Sequence, residues 1–427
     1  MMPALPDVRE ARRDRLRQRV LTLFQRNYKV GYSTWNRTPF AYIAPARHGY
    51  PHQWLWDTAF HAIVLCHLDP GWAEREIENF LRVQAADGFL PHVVFWDEDH
   101  VPLWGSLLSK STFHPHLSAI TQPPVLAIAV EAVYSKTRSE RFLEGVLPAL
   151  SRYHDWLERE RDPDRTGLLS IISADESGMD ELPIFQYAAG LKHNSVWLFH
   201  FFNRRADVLN KLHAYRLRTI FAADYFTVKD LLFNCLFIEA ERALARLLRT
   251  AGDAAGAARA DQRAAWSAAA LMRLCWDGEE HIFYPLYSRR NKRIPVKTVT
   301  SLVPLFLSDL PPERADRLVK EHVLNQDEFF LKYPFPSVSK DEAFFAPEAL
   351  PFYWIKALWR GPTWFSTNWL LVKGLRKHGY DEIADLVVDR MVEMIDVHGF
   401  REYFNPLTGQ GYGKRNFGWS ALLLDLI

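Results

Sequence analysis

Carboxylate side chains crowd into residues 173–180, which contain Asp175, Glu176 and Asp180 and are followed directly by Glu181. Apolar residues lie on both sides of this segment, so the acids repel one another and are poorly solvated. Both effects raise the pKa of at least one carboxyl group. A carboxylic acid that keeps its proton near neutral pH can donate that proton to a leaving group. The alternative is a polar surface loop whose acids only cap the next helix, and the segment alone does not decide between the two.

Glu402 is the second acid that this interpretation needs. It stands in the aromatic segment 401–405, which continues into a glycine-rich loop at 409–413. Hydrolysis of a glycosidic bond uses two carboxyl groups, one protonated and one ionised, on either side of the anomeric carbon. Carboxyl groups about 6.5–9.5 Å apart leave room for a water molecule, and the configuration then inverts. Glu402 and Asp180 are therefore predicted to form an acid–base pair for sugar hydrolysis.

Tryptophan is unusually frequent, at 15 residues, and aromatic residues make up 14% of the chain. Tryptophan either fills a large core or forms flat platforms for sugars, bases or cations. Several tryptophans lie beside charged residues, since Trp54 and Trp56 precede Asp57 and Trp364 follows Arg360. The rings can stack on sugar faces, and the two charged side chains can hold hydroxyl groups through charge-assisted hydrogen bonds. For Asp57, a favourable place at a helix N-terminus is the structural alternative.

The pattern along the chain is helix after helix in pairs, with acids and tryptophans in the loops between them. Hydrophobic spacing and capping residues predict helices near residues 7–27, 53–68, 72–83, 122–134, 140–161, 192–209, 227–251, 257–276, 301–308, 312–322, 363–378, 383–398 and 419–427. Residues 28–50 are predicted to be irregular, and no alternation of strands with helices favours a parallel sheet. We predict an all-α fold in one domain, residues 1–427: a single (α/α)6 barrel, or helical toroid, with active-site loops at one rim. A two-domain helical array is the alternative.

Composition and charge argue against several other functions. The 52 Lys and Arg residues nearly balance the 51 Asp and Glu residues, which does not favour a nucleic-acid partner. No apolar run of 18 residues occurs, so no membrane partner is expected, and the Arg-rich N-terminus lacks the apolar region of a secretory signal. Three widely spaced cysteines are predicted to be small buried residues of a reducing, cytoplasmic protein. A homo-oligomer is compatible with these features.

Neither a metal nor a cofactor is expected. The histidines lack zinc-binding spacing, and no Gly-x-Ser-x-Gly segment occurs. The glycines at 409–413 have the wrong spacing for a dinucleotide loop and follow no predicted strand.

Five segments, in the same order along the chain, resemble glycoside hydrolase family 63. They are Trp-Leu-Trp-Asp57-Thr-Ala-Phe, Glu176-Ser-Gly-Met-Asp180, Arg360-Gly-Pro-Thr-Trp364, Glu402-Tyr and Phe417-Gly-Trp419-Ser. The family resembles trehalases in these motifs, and the short single-domain form is similar to bacterial mannosylglycerate and glucosylglycerate hydrolases. Each segment alone is weak evidence for the family, but five segments in the same order are specific to it.

The resemblance implies an inverting α-glycosidase with an (α/α)6 barrel, in which Asp180 is the general acid and Glu402 the general base. The residues predicted to bind the sugar are Trp54, Trp56, Asp57, Gln122, Glu176, Arg360, Gly361, Trp364 and Trp419. Tyr32 and Trp35 are predicted to form the opposite wall of the site, with plain packing as their alternative.

A glycerate aglycone carries a carboxylate, so a cation has to meet it. Residues 204–229 are rich in Lys and Arg. Similarity to related hydrolases implies a loop in this region that closes over the aglycone, and Arg216 is the predicted cation. Its alternative role is that of a solvated charge.

Three other functions stay open on the sequence. A trehalase-like or α-glucosidase disaccharide hydrolase would use the same acids on a different substrate. A non-catalytic sugar-binding protein would keep the tryptophans but would not need opposed acids. A helical cyclase would need an Asp-rich metal motif, which is not found.

Overall fold

The computed structural model describes residues 8–97, 116–191, 196–348 and 358–427. Helices form most of its regular structure, as the hydrophobic spacing predicts. The α-helices are α1 (Val8–Asn27), α2 (Leu55–Leu65), α3 (Pro70–Leu81), α4 (Leu126–Thr137), α5 (Glu140–Arg161), α6 (Pro183–Ala188), α7 (Val196–Leu212), α8 (Leu217–Ala223), α9 (Leu231–Thr250), α10 (Ala254–Leu274), α11 (Pro312–Leu318), α12 (Phe365–Lys377) and α13 (Asp381–His398). Short 3-10 helices span Ala174–Ser177, Val299–Ser301, Val303–Phe306 and Gly418–Asp425, and a π-helical turn spans Val319–Val323.

The strands are short and pair mostly as antiparallel hairpins. They are β1 (Tyr28–Ser33), β2 (Thr38–Ile43), β3 (Gln53–Trp54), β4 (Val93–Val94), β5 (Val228–Lys229), β6 (Trp276–Asp277), β7 (Ile282–Phe283), β8 (Leu286–Tyr287), β9 (Lys292–Arg293), β10 (Arg401–Phe404) and β11 (Gly411–Arg415). The prediction of irregular chain at 28–50 is wrong for β1 and β2, which pair with Tyr28 opposite Ile43. Buried Phe40 and Tyr42 flank half-buried Ala41, which is the two-residue period of a strand.

Helices α2, α9 and α12 are buried along most of their length. Every residue of α2 is buried, and α9 and α12 bury most of theirs. Helix α2 is apolar on nearly all sides, and such a helix has to lie inside the protein. Each of the three is followed, after a short turn, by a helix that buries one face against it: α3, α10 and α13 respectively.

Several residues of the predicted site lie at the N-terminal ends of buried segments. Trp54 directly precedes α2, and Trp364 directly precedes α12. Trp419 lies in the first turn of the buried 3-10 helix Gly418–Asp425. Asp57 lies in the first turn of α2, where the partial positive charge of the helix end favours an anion. These helix ends therefore bring the predicted residues of distant segments towards one place.

One hydrophobic cluster connects side chains from Leu16 to Leu426. The three cysteines are buried and free, as predicted. Among the described helices, none combines the length and apolar character needed to cross a bilayer.

Candidate active site

A cavity of about 210 Å³ lies where these helix ends meet. Eight of the predicted site residues line it: Trp54, Trp56, Asp57, Gln122, Asp180, Trp364, Glu402 and Trp419. The other lining residues are Pro45, Tyr50, His92, Asp175, Gly178, Leu358, Trp359 and Phe417. Asp180 and Glu402, which are far apart in the sequence, therefore belong to the same cavity.

The acidic segment enters the cavity through a tight turn at Gly178. The 3-10 helix Ala174–Ser177 ends there, and Gly178 has a left-handed φ of 71°. A Cβ atom at this position would collide with the ring of Trp56. Glycine therefore allows the loop that carries Asp180 to lie directly on the indole.

Glu176 fixes the beginning of the same loop. It is fully buried and pairs with Arg161, whose Nη1 and Nη2 lie 2.9 and 2.5 Å from its two carboxylate oxygens. Its carboxylate also accepts hydrogen bonds from the backbone N–H groups of Thr121 (3.1 Å) and Ile172 (2.8 Å). Glu176 thus lies outside the cavity lining, although the sequence predicts it as a sugar contact.

Glu402 lies on strand β10 rather than in the loop that the sequence predicts there. Its Oε1 accepts a hydrogen bond from the Tyr50 hydroxyl at 2.9 Å, and its Oε2 accepts one from the backbone N–H of Lys414 at 2.7 Å. Gly413, on the facing strand β11, has a φ of 67°, and a Cβ there would collide with the Glu402 carboxylate. Tyr50 and the hairpin together therefore hold both carboxylate oxygens in defined positions.

Four aromatic side chains form what we call the tryptophan wall: Trp56, Trp359, Trp364 and Trp419. The rings of Trp359 and Trp364 stack in parallel, with centroids 3.8 Å apart. Trp419 contacts Trp364 at 5.6 Å and meets Trp56 edge-on at 4.7 Å. All four line the cavity and give it the flat apolar surfaces on which sugar rings can stack.

Asp57 is a buried acid in contact with the tryptophan wall. Its Oδ1 accepts a hydrogen bond from Trp419 Nε1 at 2.5 Å. Burial raises the pKa of Asp57 to about 7, while the hydrogen bond from Trp419 acts in the opposite direction. Near neutral pH this carboxyl group can therefore either donate to or accept from a sugar hydroxyl.

Arg360 lies behind the cavity rather than on its lining. Its Nη2 donates to Gln186 Oε1 at 2.7 Å, and burial lowers its pKa to about 10, against the opposing charge of Glu181. Burial, followed by the charge of the neighbouring Asp180, raises the pKa of Glu181 to about 9. Glu181 Oε2 also accepts from the backbone N–H of Leu358, at the edge of the cavity. Residues 358–360 thus contact Glu181, which directly follows Asp180, and help to hold the loop that carries Asp180.

Tyr32 and Trp35, predicted as one wall of the site, are also outside the cavity lining. Tyr32 is 61% exposed on strand β1. Trp35 donates from Nε1 to the Phe95 carbonyl at 3.1 Å and stacks on His116, with the rings 5.1 Å apart. The contacts of Trp35 are therefore those of a packing residue.

Arg216 and Gly361 complete the set of predicted residues that do not line the cavity. Arg216 is exposed and occupies the N-cap position of α8. Gly361 donates its backbone N–H to Ser337 Oγ at 2.9 Å and has a φ of 137°.

Tyr50, His92 and Trp359 also line the cavity, and they are not among the residues predicted from the sequence. Trp359 directly precedes the Arg360-Gly-Pro-Thr-Trp364 segment, so that segment could have been extended by one residue to include it. Tyr50 and His92 lie in stretches with no motif or helical period, and no sequence signal marks them.

The cavity combines carboxylic acids, among them Asp180 and Glu402, with a wall of tryptophans on a mostly helical scaffold, and this combination defines a class of protein. Such a cavity can hold a sugar ring against aromatic faces and present it with a proton donor and an ionised base, which is the equipment of a glycoside hydrolase.

Comparison with known proteins gives the family. The mannosylglycerate hydrolase MGH1-like glycoside hydrolase domain matches residues 50–420, and the chain belongs to this family of glycoside hydrolases, within family 63. The resemblance drawn from the five sequence segments is therefore confirmed.

Two similar proteins and one solved structure match nearly the whole chain. The mannosylglycerate hydrolase of Thermus thermophilus is 33% identical, covering 90% of this chain and 95% of that protein. The glucosylglycerate hydrolase of Mycolicibacterium hassiacum is 27% identical, covering 87% of this chain and 90% of that protein. A crystal structure of the Thermus thermophilus mannosylglycerate hydrolase with Tris and D-glycerate is 29% identical, with a TM-score of 0.83, and covers 96% of this chain and 99% of that one.

Proposed function

We propose that this glycoside hydrolase cleaves a small α-glycoside of glycerate, 2-O-α-mannosyl-D-glycerate or 2-O-α-glucosyl-D-glycerate, with inversion. Asp180 is the general acid and Glu402 the general base. The observation that carries the proposal is that both acids line one cavity, beside the tryptophan wall and Asp57.

The reaction follows from these two roles. Asp180 donates its proton to the glycosidic oxygen while the bond from that oxygen to the anomeric carbon breaks. Glu402 takes a proton from a water molecule, whose oxygen bonds to the anomeric carbon on the opposite face of the ring. The products are the free sugar, in the inverted β configuration, and glycerate.

The glycerate part of the substrate is supported by the similar proteins, which are mannosylglycerate and glucosylglycerate hydrolases, one of them with D-glycerate bound. We keep Arg216 as the proposed cation for the aglycone carboxylate. Its matched control is Arg218, an exposed arginine on the same short helix. Arg216→Ala is expected to raise KM for the glycerate glycosides with little change in kcat, and Arg218→Ala is expected to leave KM unchanged.

A neutral disaccharide is the second candidate substrate, because no Lys or Arg side chain is among the cavity-lining residues in the described part of the chain. A trehalase-like or α-glucosidase activity would need no cation for its aglycone. The mostly helical fold fits both candidates, and we propose that it is a single (α/α)6 barrel built from residues 1–427.

The proposal is tested with a panel of mannosylglycerate, glucosylglycerate, trehalose and kojibiose. Turnover of either glycerate glycoside supports it, whereas turnover of only trehalose or kojibiose supports the second candidate. Asp180→Asn is expected to lose most turnover and still bind sugar. Glu402→Ala is expected to be equally inactive. Full activity of either variant would remove that residue from its proposed role.

A further inference from the structure

Tyr50 connects the cavity wall to Glu402. Its hydroxyl donates to Glu402 Oε1 at 2.9 Å. Its backbone N–H bonds to the Ala46 carbonyl at 3.0 Å, and its ring packs edge-on against Trp54 and Phe417, with centroids 5.9 and 5.8 Å away. Backbone and ring contacts therefore both fix where the hydroxyl points.

We infer that Tyr50 is a positioning residue for the catalytic base: its hydroxyl orients the Glu402 carboxylate and keeps it ionised. This inference rests on the proposed role of Glu402 and adds a residue on which that role depends.

The hydrogen bonds to Glu402 divide between its two oxygens. Tyr50 donates to Oε1, and the backbone N–H of Lys414 donates to Oε2. Two donors on different oxygens fix the plane of the carboxylate, and an ionised carboxylate has further lone pairs with which to accept a proton from water. Donors of this kind also favour the ionised form, which is the form that a general base needs.

The surrounding charges act on both partners of the hydrogen bond between Tyr50 and Glu402. Asp180 and Glu181 of the acidic loop act on Tyr50, while Tyr403 and Arg401 of the hairpin act on Glu402. The two acids disfavour loss of the Tyr50 proton, whereas the charge of Arg401 favours a negative charge on Glu402. Burial, and then the charge of Glu402, raise the pKa of the Tyr50 hydroxyl far above its usual range. Tyr50 therefore stays protonated, and able to donate, through the neutral pH range.

The test is the pH dependence of kcat/KM for Tyr50→Phe, whose acidic limb reports the base of the free enzyme. We expect kcat to fall about tenfold to a hundredfold with little change in KM, and the acidic limb to move to higher pH by about one unit. Tyr134→Phe is the matched control, because its hydroxyl donates to Glu140 at 2.8 Å outside the cavity lining. This control is expected to keep the wild-type profile.

Replacement of Tyr50 by fluorotyrosine covers the case in which the Phe variant does not fold. The ring keeps its shape and becomes a stronger donor, so the acidic limb is expected to move to lower pH. An unmoved limb in either folded variant would overturn the role of Tyr50 while wild-type activity stands. If the wild-type protein turned over none of the four glycosides, the proposed function itself would fail.

Discussion

Gly178 and Trp56 approach so closely that a single methyl group on the glycine would overlap the indole ring. This contact joins the loop of the proposed acid, Asp180, to the tryptophan wall at the start of helix α2. The position of Asp180 thus depends on a residue that has no side chain.

Gly178→Ala is expected to lower kcat/KM by at least about tenfold, because the loop has to move away from Trp56 or force it to rotate. Gly252→Ala is the matched control: its φ of 82° gives the same backbone strain, but its Cβ would meet open space. Both variants should lose about 1 kcal/mol of stability from that strain. Steady-state kinetics and urea unfolding of the pair separate the two effects, and equal losses of activity would refute the close-approach argument.

Gly413→Ala tests the other acid in the same way. The new Cβ would press on the Glu402 carboxylate, so kcat should fall by an order of magnitude or more, since about 1 Å of misplacement is costly for catalysis. Gly379→Ala, with a φ of 80° and no atom near its Cβ, provides the control. Comparable kcat values for the two variants would show that Gly413 does not position Glu402.

The pair of Arg161 and Glu176 separates a structural role from sugar contact. Removing one partner leaves a buried charge, so Arg161→Met is expected to lower the free energy of unfolding by about 3–5 kcal/mol. Arg246→Met breaks the exposed pair with Glu131 and should cost at most about 1 kcal/mol.

The sugar-contact role of Glu176 is tested by Glu176→Gln. If Glu176 only holds the loop that carries Asp180 in place, this variant should be less stable than wild type. At a temperature where it is folded, it should still bind sugar with the wild-type Kd. Calorimetric titration with the free sugar decides, and a large rise in Kd for a folded variant would place Glu176 in contact with the substrate after all.

Asp57 makes stability depend on pH. Its pKa is raised to about 7 in the folded protein, so between about pH 4 and 7 the folded state binds a proton that the unfolded state has lost. Wild-type stability should therefore lose a contribution of a few kcal/mol as pH rises through this window. Asp57→Asn removes that loss. The unfolding free energy of the variant minus that of the wild type should therefore be larger at pH 8 than at pH 5. Urea unfolding at both pH values measures this difference, and an equal difference at the two pH values would contradict the raised pKa.

The sequence predicted those parts of the site that depend on local pattern. Trp54, Asp57 and Trp364 lie at the starts of helices, where the hydrophobic spacing begins, so their place could be read directly from the chain. Asp180 and Glu402 required a resemblance to a family, because an acidic loop and an acid in an aromatic segment have ordinary structural explanations.

What the sequence could not give is contact between distant segments. Glu176 stands in the right motif, but its partner Arg161 decides that its carboxylate faces the core. Tyr50 carries no pattern of its own and becomes part of the site only because the hairpin brings Glu402 to its hydroxyl. Arg360 was predicted from its motif, and only packing places it behind the lining.

The stereochemistry of hydrolysis tests the central claim most directly. Proton NMR of a fresh reaction with mannosylglycerate or glucosylglycerate records the anomeric signal of the first sugar released, before mutarotation. If Asp180 and Glu402 act as acid and base across a water molecule, the β-anomer appears first and then equilibrates. Release of the α-anomer first would mean a nucleophilic second acid and would contradict the account.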